Sequence, residues 1–218
     1  MLDGSFLLHK IIQKVKMYKN NPIVISKSIA PRAHQIVPYL TVEEVKQIED
    51  AARNNKCNGE RNSILIQLLF ETGLRVSEAL SLTPRLINEY EGHAVLFIKG
   101  KGKKSRMVAC PDNLAYRLKS FAYTKKLELD DRIFKITRAR AWQIVKEIAE
   151  KAGIQKRVYP HLFRHSDAIE RLRQTGNPKA LMYHLGHSST LMTMRYLSTL
   201  TAEDALRIQQ GVEFTSSK

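Results

Sequence analysis

The chain has 218 residues, enough for one domain with a real core, or for a domain plus an arm. A formal charge of +15 beside a 43% hydrophobic fraction describes a globular protein with a cationic surface, for which a phosphate polymer such as a nucleic acid is the natural partner. No segment approaches the ~18 apolar residues of a membrane span, so no membrane association is expected.

The start, MLDGSFLLHK, puts its apolar run before its basic residues, unlike a signal peptide. Cys57 and Cys110 have no C-x-x-C partner and imply neither a disulfide framework nor a cysteine metal site, which points to a reducing, intracellular setting. Residues 1–38 carry Lys10, Lys14, Lys16 and Lys19 among other bases against the single acid Asp3, and lose helical patterning after Asn20-Asn21-Pro22. They read as a basic helix and a linker, with the main domain over 39–218. Thr41 followed three residues later by Glu44 is a capping box, and Val45, Ile48 and Ala52 recur at helical spacing. A second helix, about Asn62 to Thr72, is apolar nearly all round and so should be buried, with Gly73 as its left-handed stop. Arg75 therefore emerges just past a core helix.

Ser77 to Leu82 reads as a short helix closed by Pro84. Ala94–Ile98 and Ser105–Ala109 are β-like runs joined by the cationic turn Lys99-Gly-Lys-Gly-Lys-Lys104. Helices are expected at about 112–126, 138–152 (Thr137 as N-cap), 162–174 and 178–185, with shorter ones at 190–197 and 202–210. The fold class is mainly α with one small antiparallel sheet.

Several residues carry chemistry suited to a phosphate. His161 and Arg164 are three apart, so on a helix they share a face; an arginine fork grips two phosphate oxygens and keeps its charge. Each has an ordinary alternative: Arg75 as a partner of Glu78, Arg164 as a solvated base, and Tyr196 as a core aromatic after Met192 and Met194. Lys101 sits in a basic turn whose ordinary role is a solvated hairpin touching DNA nonspecifically, and Lys103 and Lys104 are alternatives to it. His161 and His165, four apart, and His184 and His187, three apart, have metal-ligand spacing but lack the Glu of H-E-x-x-H, so no metal and no cofactor is expected.

The phrase TGLRVSEAL around Arg75 resembles the first-arginine motif of the tyrosine recombinases, the phage-integrase family. Gly100-Lys101-Gly102 resembles that family's G-K-G turn, Leu185-Gly-His187 its LGH signature, and Tyr196 follows nine positions later, at the family's own spacing. Arg75, Lys101, His161, Arg164, His187 and Tyr196 match the family's active-site set in type and order over about 39–210. Tyr183 and Tyr159 rank behind Tyr196 as nucleophile.

The resemblance implies a tyrosine recombinase catalytic-domain fold and a site-specific recombinase or integrase that cleaves and rejoins double-stranded DNA without metal or ATP. Tyr196 would attack to give a 3′-phosphotyrosyl link, Arg75 and Arg164 would clamp the phosphate, and His187 would add a hydrogen bond. Lys101 would protonate the leaving 5′-oxygen, and His161 would assist proton movement at the nucleophile. It further implies a homotetramer on DNA, a monomer when free, in the nucleoid-containing cytoplasm. The segment 201–214 would either enter a neighbour's groove or fold back on its own core. Family members usually carry a larger N-terminal DNA-clamping domain than these 38 residues, so the arm is expected to be a remnant of one or a minimal clamp. A type IB topoisomerase and a non-enzymatic DNA-binding protein are the rival readings.

Overall fold

The computed structural model describes residues 37–56, 58–99 and 105–212. Nearly all of the basic arm, Cys57, and the turn carrying Lys101, Lys103 and Lys104 lie outside them. Among the described residues no helix is long and apolar enough to cross a membrane.

Helix α1 (Val42–Arg53) opens on the expected capping box: the Thr41 hydroxyl accepts from the Glu44 N–H, and the Glu44 carboxylate accepts from the Thr41 N–H. Helix α2 spans Gly59–Glu71 and starts earlier than its apolar run indicates. A Cβ on Gly59 would sit 2.4 Å from the Arg53 carbonyl oxygen, so only glycine allows the chain to reverse this tightly. Ile64, Leu65, Ile66, Leu68 and Leu69 are all buried, making α2 the axis of the main core.

The short helix α3 (Val76–Leu80) leads through a 3₁₀ turn, Pro84–Leu86, into an antiparallel sheet of β1 (Ile87–Tyr90), β2 (His93–Lys99) and β3 (Ser105–Ala109), ordered β1-β2-β3. The cross-strand register Ile87↔Leu96↔Val108 puts three buried side chains on the core face, while the pair Phe97↔Met107 faces out. Strand β1 has no counterpart in the sequence reading, because Asn88 and Glu89 break the apolar alternation; it is held by a turn at Glu91 and Gly92, both with positive φ.

Helices α4 (Asp112–Thr124) and α5 (Arg138–Lys151) pack against α2 and α1 respectively, and Thr137 caps α5 by accepting from the Arg140 N–H. Helix α6 (Pro160–Thr175) runs beside α2, and α7 (Pro178–Leu185), α8 (Thr190–Met194) and α9 (Ala202–Gln210) follow. Ala168, Ile169, Leu172, Leu181, Leu185 and Tyr196 form a second buried cluster. Helix α9 folds back onto α6 of its own chain. The Asp204 carboxylate accepts from the Thr201 N–H and meets Arg173 at 3.4 Å, and Ile208 lies over Gly176. Cys110 is buried, and burial pushes its thiol up to about 12, so it stays a neutral thiol.

Gly73 ends the α2 turn at φ +57, and a Cβ there would lie 2.3 Å from Asp167 Oδ2. Gly73→Ala is therefore expected to lose about 1–2 kcal/mol from the backbone alone, and more for displacing a buried carboxylate, as read by urea denaturation.

Candidate active site

The site is built where the ends of α2, α7 and α8 meet the first two turns of α6. Arg164, on α6, is only 2% exposed. Its Nη1 donates to the Gly73 carbonyl and its Nη2 donates to the Leu185 carbonyl at 2.7 Å, so one guanidinium ties the end of α2 to the end of α7. Burial first, then Arg75, pushes it down to about 10, which still leaves it charged at neutral pH.

Arg75 begins α3 two residues beyond Gly73. Its backbone N–H donates to Glu78 Oε2 at 2.9 Å and its Nη1 to Glu78 Oε1 at 3.1 Å, and its side chain remains 39% exposed. Glu78 also receives both ends of the Arg106 fork, each at 3.0 Å, while Arg106 Nε donates to the His184 carbonyl. Burial works to raise the Glu78 carboxyl, but the Arg106 and Arg75 hydrogen bonds hold it below the usual range. Arg106 lies on Gly186, at φ +65, where a Cβ would come within 2.8 Å of the arginine Cδ. The α7 stop thus leaves room for an arginine from β3.

His187 follows that stop. Its Nδ1 is 2.8 Å from Thr193 Oγ1, and its ring lies parallel to that of Tyr196 with centroids 6.4 Å apart. Tyr196 is 0% exposed. Its phenol oxygen is 2.9 Å from His165 Nδ1 and accepts from Arg195 Nη2 at 3.0 Å, and the Arg195 guanidinium lies over its ring. His161 stands at the surface in the first turn of α6, edge-on to His165 at 5.6 Å.

Desolvation, followed by the charges of Arg195 and Arg164 respectively, lowers both His165 and His187 to about 4, so both are neutral near pH 7. His161 is lowered too, by desolvation and then by Arg164 and Arg75. Behind the site, the buried Asp167 carboxylate accepts from Arg171 Nε at 2.6 Å and stands 3.5 Å from His184 Nε2. No group of three or more His, Cys, Asp or Glu residues at metal-binding distances occurs among the described residues.

A sequence model of the phage integrase family matches residues 38–203. The chain belongs to this family. Among its integrase relatives, the tyrosine recombinase XerD of Staphylococcus aureus is 30% identical over 200 residues, covering 86% of this chain and 66% of XerD. The chain therefore spans about two thirds of the curated relatives it matches. Among solved structures, XerH site-specific recombinase, bound to palindromic difH substrate in a post-cleavage complex, aligns with a TM-score of 0.68 and 25% identity over 81% of this chain and 52% of XerH. The catalytic domain of bacteriophage HP1 integrase shares the fold at a TM-score of 0.59 and 23% identity, over 80% of this chain and 96% of that domain. The mainly helical architecture with its small antiparallel sheet is the integrase catalytic-domain fold.

Of the six residues singled out in the sequence, Arg75, His161, Arg164, His187 and Tyr196 gather in this one region; Lys101 lies outside the described residues. Three further contributors escaped the sequence reading. Arg106 and Arg195 were not singled out, and His165 entered only as half of a metal-spaced pair. The proximity of Arg195 to Tyr196 in sequence was the one available signal.

The two histidines lowered to about 4 give this integrase domain a pH signature. Below about 6.5 the unfolded chain binds protons at His165 and His187 that the folded chain accepts only near 4. Stability is expected to fall as pH drops from about 6.5 towards 4 in thermal denaturation, with a shallower slope in His187→Gln.

Proposed function

We propose that the chain is the catalytic part of a site-specific DNA recombinase that cuts and rejoins strands through a 3′-phosphotyrosyl intermediate at Tyr196. The observation that carries this reading is the convergence of the Tyr196 phenol, the buried Arg164 and the half-exposed Arg75 within one chain. Attack on a phosphodiester gathers charge on its non-bridging oxygens, and fixed donors must meet that charge. Arg75 gives Glu78 its backbone N–H and Nη1, which leaves other guanidinium donors for a phosphate. Arg164 has five donors, and its two carbonyl bonds leave others for a phosphate oxygen. His187, neutral and held by Thr193, supplies a further hydrogen bond. Lys101 is the proposed acid for the 5′-oxygen and His161 an aid to proton movement. Because the phosphotyrosyl bond retains the energy of the broken linkage, a second strand's 5′-hydroxyl can reverse the step without ATP.

The test is covalent capture. Nicked duplexes with a randomised core, incubated with protein and washed in denaturing detergent, should be retained by the wild type without added metal, and Tyr196→Phe should retain none. Arg75→Ala should bind the enriched duplex nearly as well but cleave with a barrier higher by ~3–4 kcal/mol. Retention by Tyr196→Phe, or equal losses in binding and cleavage for Arg75→Ala, would remove these roles.

Strand exchange joins two duplexes, so the proposed assembly is a homotetramer on DNA formed from monomers, in the cell compartment that holds the chromosome. The basic segment 1–38 would add phosphate contacts to those of the catalytic domain of 39–218. Helix α9 is the proposed link between subunits, since Leu206 and, just past its end, Val212 are exposed while Asp204 and Ile208 hold it against its own chain. Light scattering should give one chain per particle without DNA and four on paired sites. Removing 201–218 should spare cleavage more than exchange; exchange undiminished by the truncation would discard this role for α9.

A further inference from the structure

We infer that His165 is a catalytic residue of this site: it accepts the phenolic proton of Tyr196 as the tyrosine becomes a nucleophile. The inference rests on the strand-transfer reading above and assigns to His165 a step that the family resemblance implied for His161.

Among the described residues the geometry leaves the phenolic hydrogen one destination. Tyr196 is fully buried, and the contacts of its hydroxyl are Arg195 Nη2 at 3.0 Å and His165 Nδ1 at 2.9 Å. An arginine can only donate, so the phenol oxygen accepts from Arg195. A buried hydroxyl that gave its hydrogen to nothing would be left unsatisfied, so it donates to His165 Nδ1, which fixes the imidazole as the tautomer protonated at Nε2. His161 meets the ring of His165 rather than the phenol.

The charges around His165 favour its neutral, accepting form. His161 and Arg164 face it from α6, Arg195 from the end of α8, and His187 from beyond α7; after desolvation these lower it to about 4. A base of that strength is weak in the free chain. A bound phosphodiester brings negative charge to Arg164 and Arg75, offsetting the field that opposes a second cation and strengthening His165 as the reaction begins. In the step itself the Tyr196 Oη–P bond forms and the P–O5′ bond breaks with its electron pair staying on the 5′-oxygen. The phenolic proton moves to His165 Nδ1, and the 5′-oxygen takes a proton from a general acid, the role proposed for Lys101. Arg195 remains as donor to the phenol oxygen throughout. Rejoining returns both protons.

The experiment uses the full chain and the duplexes enriched by covalent capture. His165→Ala is expected to slow adduct formation about 100-fold, the usual scale for a lost general base, with part of the rate restored by added imidazole. Replacing the 5′-bridging oxygen by sulfur, which removes the need to protonate the leaving group, should not cure the defect. His165→Gln keeps a hydrogen-bond acceptor but binds no proton, so it should be as slow as His165→Ala. In the free wild-type protein, nitrogen-labelled histidine should show His165 Nδ1 as an unprotonated acceptor whose resonance moves in Tyr196→Phe, a reading that needs neither DNA nor a His165 variant. A wild-type rate in His165→Gln, a defect cured by sulfur, or an Nδ1 that carries a proton and ignores Tyr196→Phe would each overturn the assignment. If the wild type captures no duplex at all, the strand-transfer reading falls, and the nitrogen resonance still decides where the phenolic proton sits.

Discussion

The site depends on Arg164 bridging two backbone carbonyls. Gly73 and Leu185 lie at the C-terminal ends of α2 and α7, where unpaired carbonyls concentrate partial negative charge, and a buried guanidinium between them satisfies both ends at once. Burying a cation is unfavourable unless it is hydrogen-bonded; here the two helix ends take two of its donors and so fix where the cation stands. The bridge also sets the position of its neighbours. Arg75 follows the Gly73 turn by two residues and His187 follows Leu185 by two, so one side chain registers the residues on both sides of it.

Glu78 performs a related task for the outer layer. Its carboxylate takes the Arg106 fork and Arg75 Nη1, collecting two cations around one anion in a half-buried setting. Without it, like charges of Arg75, Arg106 and Arg164 would face each other with nothing between them, and the flexible Arg75 side chain would be free to turn outward. Glycines make this arrangement possible where they admit a neighbour: Asp167 at Gly73 and Arg106 at Gly186.

Much of this was legible in the sequence where the determinants are local. The Thr41 capping box and the Gly73 stop before Arg75 each need only a few consecutive residues, and each appears in the fold as read. What stayed hidden is carried by distant pairs. Strand β1 is defined by pairing with β2 rather than by its own polar sequence. Arg106 meets Glu78 across 28 positions and His165 meets Tyr196 across 31, separations at which no periodicity operates. His165 was also obscured by a stronger local pattern, its four-residue spacing from His161, whose rings do come close but edge to edge, with no third ligand grouped beside them among the described residues.

The complete burial of Tyr196 has a consequence for selectivity. On the proposed reaction, a phosphate reaches the phenol only after the cover over it has opened, and the free energy of opening is subtracted from whatever the DNA contributes by binding. A duplex with few favourable contacts can be held by the basic surface yet leave the tyrosine closed. One with many can hold the site open long enough to react. Discrimination between DNA sequences can thus arise at a residue that reads no base, because burial turns differences in binding into differences in whether the nucleophile is available at all.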